Sequence, residues 1–200
     1  MKLLLATNNA HKMREIREIL GGDFPEMVTL KEAGLDIDVV EDGLTFCDNA
    51  IKKAEEVLRV SGYEAVLADD SGLIVDALDG APGVFSARYA GEGHDDAANN
   101  VKLMADMTGV PWQDRTCRFA SAIALARKGK ETLCVMRTVE GKLLTAPRGS
   151  NGFGYDPYFF YEPFGCSFAE LTAEQKNSVS HRKRALEAMK ELLYAERGTV

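Results

Sequence analysis

The sequence has little of what marks several common classes of protein. Its four cysteines, Cys47, Cys117, Cys134 and Cys166, are far apart and form no Cys-x-x-Cys pair, so a zinc site is poorly supported. No stretch approaches the roughly 18 consecutive apolar residues that a membrane-spanning helix needs. The N-terminal region also lacks a charged segment followed by a long apolar run. These absences predict a soluble protein of the reducing cytoplasm, with no membrane partner.

Positive charge is in deficit as well. The chain has 24 Lys and Arg against 31 Asp and Glu, a formal net charge of −7, which argues against broad electrostatic binding to DNA or RNA. A small anion such as a triphosphate needs only a local cluster of Lys, Arg and backbone N–H groups, with a divalent cation to offset repulsion. The 200 residues, 46% of them hydrophobic, are enough to bury a core. No linker or repeat interrupts them, so one domain over residues 1–200 is predicted.

Hydrophobic periodicity predicts alternating strands and helices. Apolar runs at residues 2–6 and 65–68 are typical of buried strands, the second ending at a double acid before extended chain resumes at 73–75. Residues 118–126 and 132–139 flank a polar loop and predict an antiparallel hairpin. The predicted helices are 12–20, 45–60, 95–107 and 180–194. The pattern predicts an α/β fold with a mixed sheet.

Asp69 and Asp70 form the double acid that follows the second apolar run. Two carboxylates at a buried strand end are costly unless positive charge pairs with them. Neighbouring side chains of a strand point to opposite faces, so the two acids are expected to do different jobs. One can bind Mg²⁺ and orient water, because Mg²⁺ favours a few carboxylates plus waters and phosphates. A plain turn is the alternative, since Asp-Ser-Gly over residues 70–72 suits a turn.

Residues 7–12 lie between the first predicted strand and helix. The free N–H groups and dipole of a helix start attract anions, Thr7 and Asn9 can donate hydrogen bonds, and Lys12 can reach a phosphate. The glycines of a Walker loop are missing. Simple N-capping beside a solvated lysine explains the segment equally well.

Three further segments carry candidate ligand groups. Glu41, before the second helix, is either a second metal ligand or an acidic helix cap. In residues 152–157, glycines flank aromatic rings that can stack on a base, and Asp156 can accept from a ring N–H; an aromatic-packed turn is the alternative. His181 and Arg182 are predicted in the first turn of the last helix, where cations oppose the helix dipole. They either donate to an acceptor-rich ligand or form a solvated basic patch.

Taken in order, these segments resemble the inosine triphosphate pyrophosphatase family, the Ham1-type dITP/XTP pyrophosphatases. Residues 7–12 are similar to its phosphate motif, 41–46 to its acidic segment, and 68–73 with 80–89 to its central signature. Residues 152–157 and 180–182 are similar to its base-recognition segments. The family usually has Gly after the last of these, where this chain has Lys183.

The resemblance implies an elongated mixed β-sheet flanked by helices, two lobes around a central cleft, and a homodimer. It also implies Mg²⁺-dependent conversion of ITP, dITP and XTP to the monophosphate and pyrophosphate. By motif matching, Asp70 is the proton acceptor and a metal ligand, and Glu41 is the second metal ligand. The implied substrate-binding residues are Thr7, Asn8, Asn9, Ala10, His11, Lys12, Ser71, Phe153, Gly154, Tyr155, Asp156, Lys176, His181 and Arg182.

Two other functions compete with this interpretation. Maf-like nucleotide pyrophosphatases have a similar fold, but their N-terminal segment is rich in Ser, Pro and Arg, unlike residues 7–12. A non-catalytic nucleotide sensor would keep the base-binding residues without needing Glu41 and Asp70 as a metal pair. The presence of both acids favours an enzyme.

Overall fold

The order of helices and strands follows the predicted α/β pattern. The computed structural model describes residues 2–198, with side chains from residue 2 to residue 196. The strands in that part of the chain are β1 (Leu3–Leu5), β2 (Met27–Thr29), β3 (Ala65–Val75), β4 (Thr116–Arg127), β5 (Leu133–Leu143), β6 (Phe159–Tyr161) and β7 (Cys166–Ser167). The helices are α1 (Ala10–Leu20), α2 (Phe46–Ser61), α3 (Asp96–Asp106), α4 (Ala173–Val179) and α5 (His181–Gly198).

The strands form one mixed sheet in the order β2-β1-β3-β4-β5-β6-β7. β1 pairs in parallel with β2 and with β3, so that Leu4 lies opposite both Val28 and Val66. β6 pairs antiparallel with β5 and β7. β4 and β5 are neighbours in the sheet and are joined by a short loop, as the predicted hairpin requires. The predicted α/β class with a mixed sheet is confirmed.

The predicted helices are confirmed, and their caps explain where they begin. The Asn9 side chain caps α1 by accepting hydrogen bonds from the first-turn N–H groups. Thr45 and Asp48 form a capping box at the start of α2, and Asp95 caps α3. Four short elements, β2, β6, β7 and α4, were not predicted, because segments of two to seven residues carry too little periodicity.

The prediction that a strand ends at Asp69 is wrong. β3 runs without a break from Ala65 to Val75, and both acids lie within it. Its second half continues the strand with the buried Leu73 and Val75. Gly72 allows close approach of Ser86, whose Oγ accepts a hydrogen bond from the backbone N–H of Leu73 at 2.9 Å. Side-chain partners compensate the two buried carboxyl groups, so the strand does not have to leave the sheet to solvate them.

The chain divides into two compact units. The first comprises residues 1–70, 121–137 and 181–200, and the second comprises residues 71–120 and 138–180. In the first, β1, β3 and β4 pack against α1 and α5 through a core that includes Leu5, Ile16 and Leu186. The second has a separate core rich in aromatic rings, including Phe159 and Phe168. The single domain expected over residues 1–200 stays a prediction. None of the helices between residues 2 and 198 is long and apolar enough to span a membrane.

Candidate active site

Asp70 is a buried acid in the first unit, and a residue of a helix contacts its side chain. It belongs to β3, not to a turn, and is only 5% exposed. Asn49 of α2 donates from Nδ2 to its carboxylate at 3.1 Å, while the Asn49 Oδ1 accepts from the Gly43 N–H at 2.7 Å. Asn49 therefore ties the start of α2 to both the acid and the segment before the helix.

Burial raises the pKa of Asp70 to about 6, although several charges act on it. The ammonium groups of Lys12 and Lys53 lower that pKa, the carboxylate of Glu41 raises it, and the Asn49 hydrogen bond lowers it. An aspartate with a pKa near 6 is ionised at neutral pH yet is a stronger base than an ordinary aspartate. This is the property expected of a group that accepts a proton from water.

Asp69, the next residue of the strand, has its own set of partners. Its carboxylate lies 2.7 Å from the Lys12 ammonium and accepts from the Arg182 Nε and the Ser121 Oγ, each at 2.9 Å. The side chain is wholly buried, which alone would raise its pKa, but the charges of Arg182 and Lys12 hold the pKa of Asp69 well below its usual range. Asp69 is thus a fixed negative charge, whereas Asp70 can exchange a proton near neutral pH.

Arg182 was predicted to donate to the purine base. Its side chain, 1% exposed, forms ion pairs with Asp69 and Glu15. A base-binding role stays a prediction for it and for its buried neighbour His181, the first residue of α5. The geometry shows a structural task that the sequence did not: this guanidinium neutralises a buried carboxylate contributed by a strand 113 residues earlier.

Residues 7–12 show the helix capping of one interpretation, while the phosphate binding of the other stays a prediction. Capping is present, because the Asn9 Oδ1 accepts from the backbone N–H groups of His11 at 2.9 Å and Lys12 at 3.1 Å. The lysine is not a solvated one, however, since its ammonium is paired with buried Asp69. Residues 8–11 are exposed, and Thr7 accepts from the Asn9 N–H at 3.2 Å. The segment therefore presents a capped helix start beside a lysine of fixed position.

Glu41, the predicted second metal ligand, is paired with Lys53 of α2. The Lys53 ammonium also donates to the backbone oxygen of Asp69 at 3.3 Å. Two carboxylates, Glu41 and Asp70, suit a Mg²⁺ ion that takes its other ligands from water and substrate phosphates. Among the residues whose side chains are described, no group of three or more His, Cys, Asp and Glu could hold a metal ion. The two acids thus fit a divalent cation that takes its other ligands from elsewhere.

The second unit contains a separate set of predicted residues around Asp156. This buried carboxylate accepts from the Phe153 N–H at 2.9 Å and from the Lys176 ammonium at 2.7 Å. The same ammonium lies 4.6 Å from the centre of the Phe153 ring. Gly152 makes the turn possible: it has a φ of +75°, and a Cβ there would lie 2.1 Å from the Asp156 carboxylate.

The other predicted residues of this loop have mainly structural contacts. Tyr155, expected as a stacking ring, is buried and donates from its hydroxyl to the backbone oxygen of Ser86 at 2.7 Å. Gly154 donates from its N–H to Asp96 at 2.8 Å, so the start of α3 holds the loop. Phe153 is half-buried and is the ring better suited to stacking. Ser71, on β3, is half-buried.

A sequence model described as the Ham1 family matches residues 3–192, nearly the whole chain. The chain belongs to the Ham1 family.

Relatives of this Ham1-family chain are similar over nine-tenths or more of their length. The protein named dITP/XTP pyrophosphatase from Geobacter sulfurreducens is 47% identical over 192 residues, covering 96% of each chain. The one from Lactiplantibacillus plantarum is 50% identical over 184 residues, covering 92% of this chain and 90% of the relative. The solved structure of the Staphylococcus aureus Ham1 protein has a TM-score of 0.87 at 37% identity and covers 98% of this chain and 100% of its own.

Sequence reasoning missed two residues of this Ham1-family site. Neither Asn49 nor Lys53 is among the residues that the sequence predicts for the site. A signal was available for both. They are four residues apart on the helix face whose other members are the buried Ala50, Ala54 and Val57. An amide and a lysine along an apolar stripe indicate buried polar partners.

Proposed function

We propose that this chain hydrolyses non-canonical purine nucleoside triphosphates, namely dITP, ITP and XTP, to the monophosphate and pyrophosphate. The observation that carries the proposal is Asp70, a buried acid with a pKa of about 6 beside a second acid, Glu41, and two lysines. Relatives named dITP/XTP pyrophosphatase at 47–50% identity support it.

In the proposed reaction Asp70 accepts a proton from the water that attacks the α-phosphorus. The bond from that water to phosphorus forms as the bond to the bridging oxygen breaks, and pyrophosphate leaves. Lys12 and Lys53 lie beside Asp70 and offset negative charge on the phosphates. Asp69 keeps Lys12 in position through a 2.7 Å ion pair. Mg²⁺, held by Glu41 and Asp70, would supply further charge neutralisation on the phosphate oxygens.

Base selectivity is proposed to depend on hydrogen-bond donors. Hypoxanthine and xanthine carry a 6-oxo acceptor that suits cationic donors such as Lys176. Adenine carries a 6-amino donor, which would leave those donors unpaired, and a mismatch of this kind discriminates by up to roughly 10⁴-fold. Phe153 provides a ring on which the base can stack. We also propose that the enzyme acts as a cytoplasmic homodimer, as the family resemblance implies; light scattering of the purified protein tests the dimer.

A triphosphate panel with Mg²⁺ tests the proposal. Wild type is expected to convert ITP, dITP and XTP to monophosphate and pyrophosphate, and to act much more slowly on ATP. Guanine shares the 6-oxo group, so slower action on GTP has to depend on its 2-amino group. Asp70→Asn and Glu41→Gln are expected to lose nearly all activity. Asp42→Asn, which changes the exposed acid next to Glu41, is the matched control and should stay active. Equal rates on all purines would overturn the base selectivity, and release of orthophosphate first would overturn the reaction type.

A further inference from the structure

The ammonium of Lys53, in the first unit, contacts oxygen atoms of two other residues. It pairs with the Glu41 carboxylate and donates to the backbone oxygen of Asp69 at 3.3 Å. Its charge also acts on Asp70, whose pKa it lowers. One ammonium therefore interacts with both of the carboxylates to which the proposed function assigns the metal.

The neighbouring lysine shows that this is not an ordinary surface ion pair. Lys52 pairs with Asp42 at 2.6 Å, and their side chains are 31% and 67% exposed. The side chains of Lys53 and Glu41 are only 14% and 26% exposed. A pair shielded from water is stronger and less screened by salt than an exposed one. A divalent cation that binds Glu41 has to compete with this ammonium.

We propose that Lys53 competes with the divalent cation for Glu41, and that the substrate phosphates relieve the competition by giving the ammonium another acceptor. The inference rests on the proposed function, because it takes Glu41 and Asp70 as the metal ligands. Metal alone binds weakly, since it must displace Lys53 from Glu41. Metal and nucleotide together bind tightly, since the displaced ammonium pairs with phosphate. Lys53 is thus a positioning residue that couples the two ligands.

Coupling of this kind is reciprocal and measurable. If Lys53 only repelled the metal through its charge, removing it would tighten metal binding equally with and without nucleotide. If it exchanges partners, removing it tightens metal binding without nucleotide and weakens the coupling. The two explanations therefore differ in the ratio of the metal affinity with nucleotide to the metal affinity without it. Removing Lys53 leaves that ratio unchanged in the first explanation and lowers it in the second.

The test uses Mn²⁺ as the probe metal, with free Mn²⁺ followed by electron paramagnetic resonance. Binding to the full-length protein is measured with and without α,β-methylene-ITP, whose α–β linkage resists hydrolysis. The nucleotide's own affinity for Mn²⁺ is the same in every sample and cancels when a variant is compared with wild type. Lys53→Met is expected to bind Mn²⁺ about tenfold more tightly than wild type without nucleotide. The factor by which the nucleotide raises the Mn²⁺ affinity, which measures the coupling, is expected to be about tenfold smaller than in wild type. Lys52→Met is the matched control and should bind as wild type does.

Unchanged Mn²⁺ affinity in Lys53→Met, or tightening of equal size with and without nucleotide, would overturn the inference. Circular dichroism checks that the variant is folded. Should Lys53→Met not fold, Lys53→Gln removes the charge while keeping a donor towards Glu41, and the same changes are expected of it. The proposed function fails in a different way, namely if wild type does not hydrolyse ITP. Retained hydrolysis with unchanged coupling overturns the inference about Lys53 alone.

Discussion

Replacing Asp70 with Asn is expected to make the protein more stable while it removes the activity. Burial raises the pKa of this carboxyl from 3.8 to about 6. At neutral pH the folded protein therefore contains an ionised carboxylate that destabilises it relative to the unfolded chain. Asparagine has nearly the same shape and keeps an oxygen that can accept from the Asn49 Nδ2. The substitution therefore removes the buried charge and can retain the hydrogen bond.

The size of the gain follows from the pKa. Each pKa unit corresponds to about 1.4 kcal/mol, so a rise from 3.8 to about 6 corresponds to about 3 kcal/mol in the free energy of unfolding. The net rise already includes the attraction of Lys12 and Lys53. Between pH 4 and pH 6 the folded wild type binds more protons than the unfolded chain, so its stability falls as pH rises through that window. The Asn variant lacks this decline.

Urea and thermal unfolding in EDTA at pH 7.5 and at pH 4 measure the effect. At pH 7.5 we expect Asp70→Asn to melt about 6–12 °C above wild type, and at pH 4 the difference should nearly vanish. Asp69→Asn is a matched contrast: the pKa of Asp69 is lowered, so the same change one residue earlier should destabilise the protein at pH 7.5. A variant Asp70→Asn that is no more stable than wild type, or whose gain is the same at both pH values, would refute the reasoning.

Two further predictions concern stability. Arg182→Met deprives buried Asp69 of its guanidinium and should cost about 3–5 kcal/mol in urea unfolding at pH 7; adding Asp69→Asn to it should recover part of the loss, and a double variant as unstable as the single one would contradict this. Gly72→Ala puts a Cβ 2.3 Å from the Ser86 Oγ and should cost about 1–3 kcal/mol, whereas Gly22→Ala, with no atom within 4 Å, should cost much less. Equal losses in the two alanine variants would count against the packing described for β3.

Local signals predicted much of the fold. The helices with caps and clear periodicity, such as α2 after its Thr45 cap, were predicted within about two residues. The break predicted at Asp69 was wrong because the compensating charge comes from elsewhere in the chain: Arg182 is 113 residues away. No local pattern contains such a partner, so a double acid in a strand interior is easily taken for a turn.

In the candidate site, too, local residue types were predictive and partners distant in sequence were not. The residue types at Asp70, Glu41 and Lys12 indicated anion and metal chemistry from the sequence. Their partners did not follow from it, because pairing depends on which side chains the sheet and helices bring together. Lys53 is the clearest case: its contacts with Glu41 and Asp69 depend on where α2 lies relative to β3, which periodicity alone does not determine.

Hydrolysis of ITP in water enriched in ¹⁸O tests the central claim most directly. The account has Asp70 activate a water that attacks the α-phosphorus. Mass spectrometry should therefore find one ¹⁸O atom in the inosine monophosphate and none in the pyrophosphate, and Asp70→Asn should form neither product at an appreciable rate. Label in the pyrophosphate would mean attack at the β-phosphorus and would contradict the account.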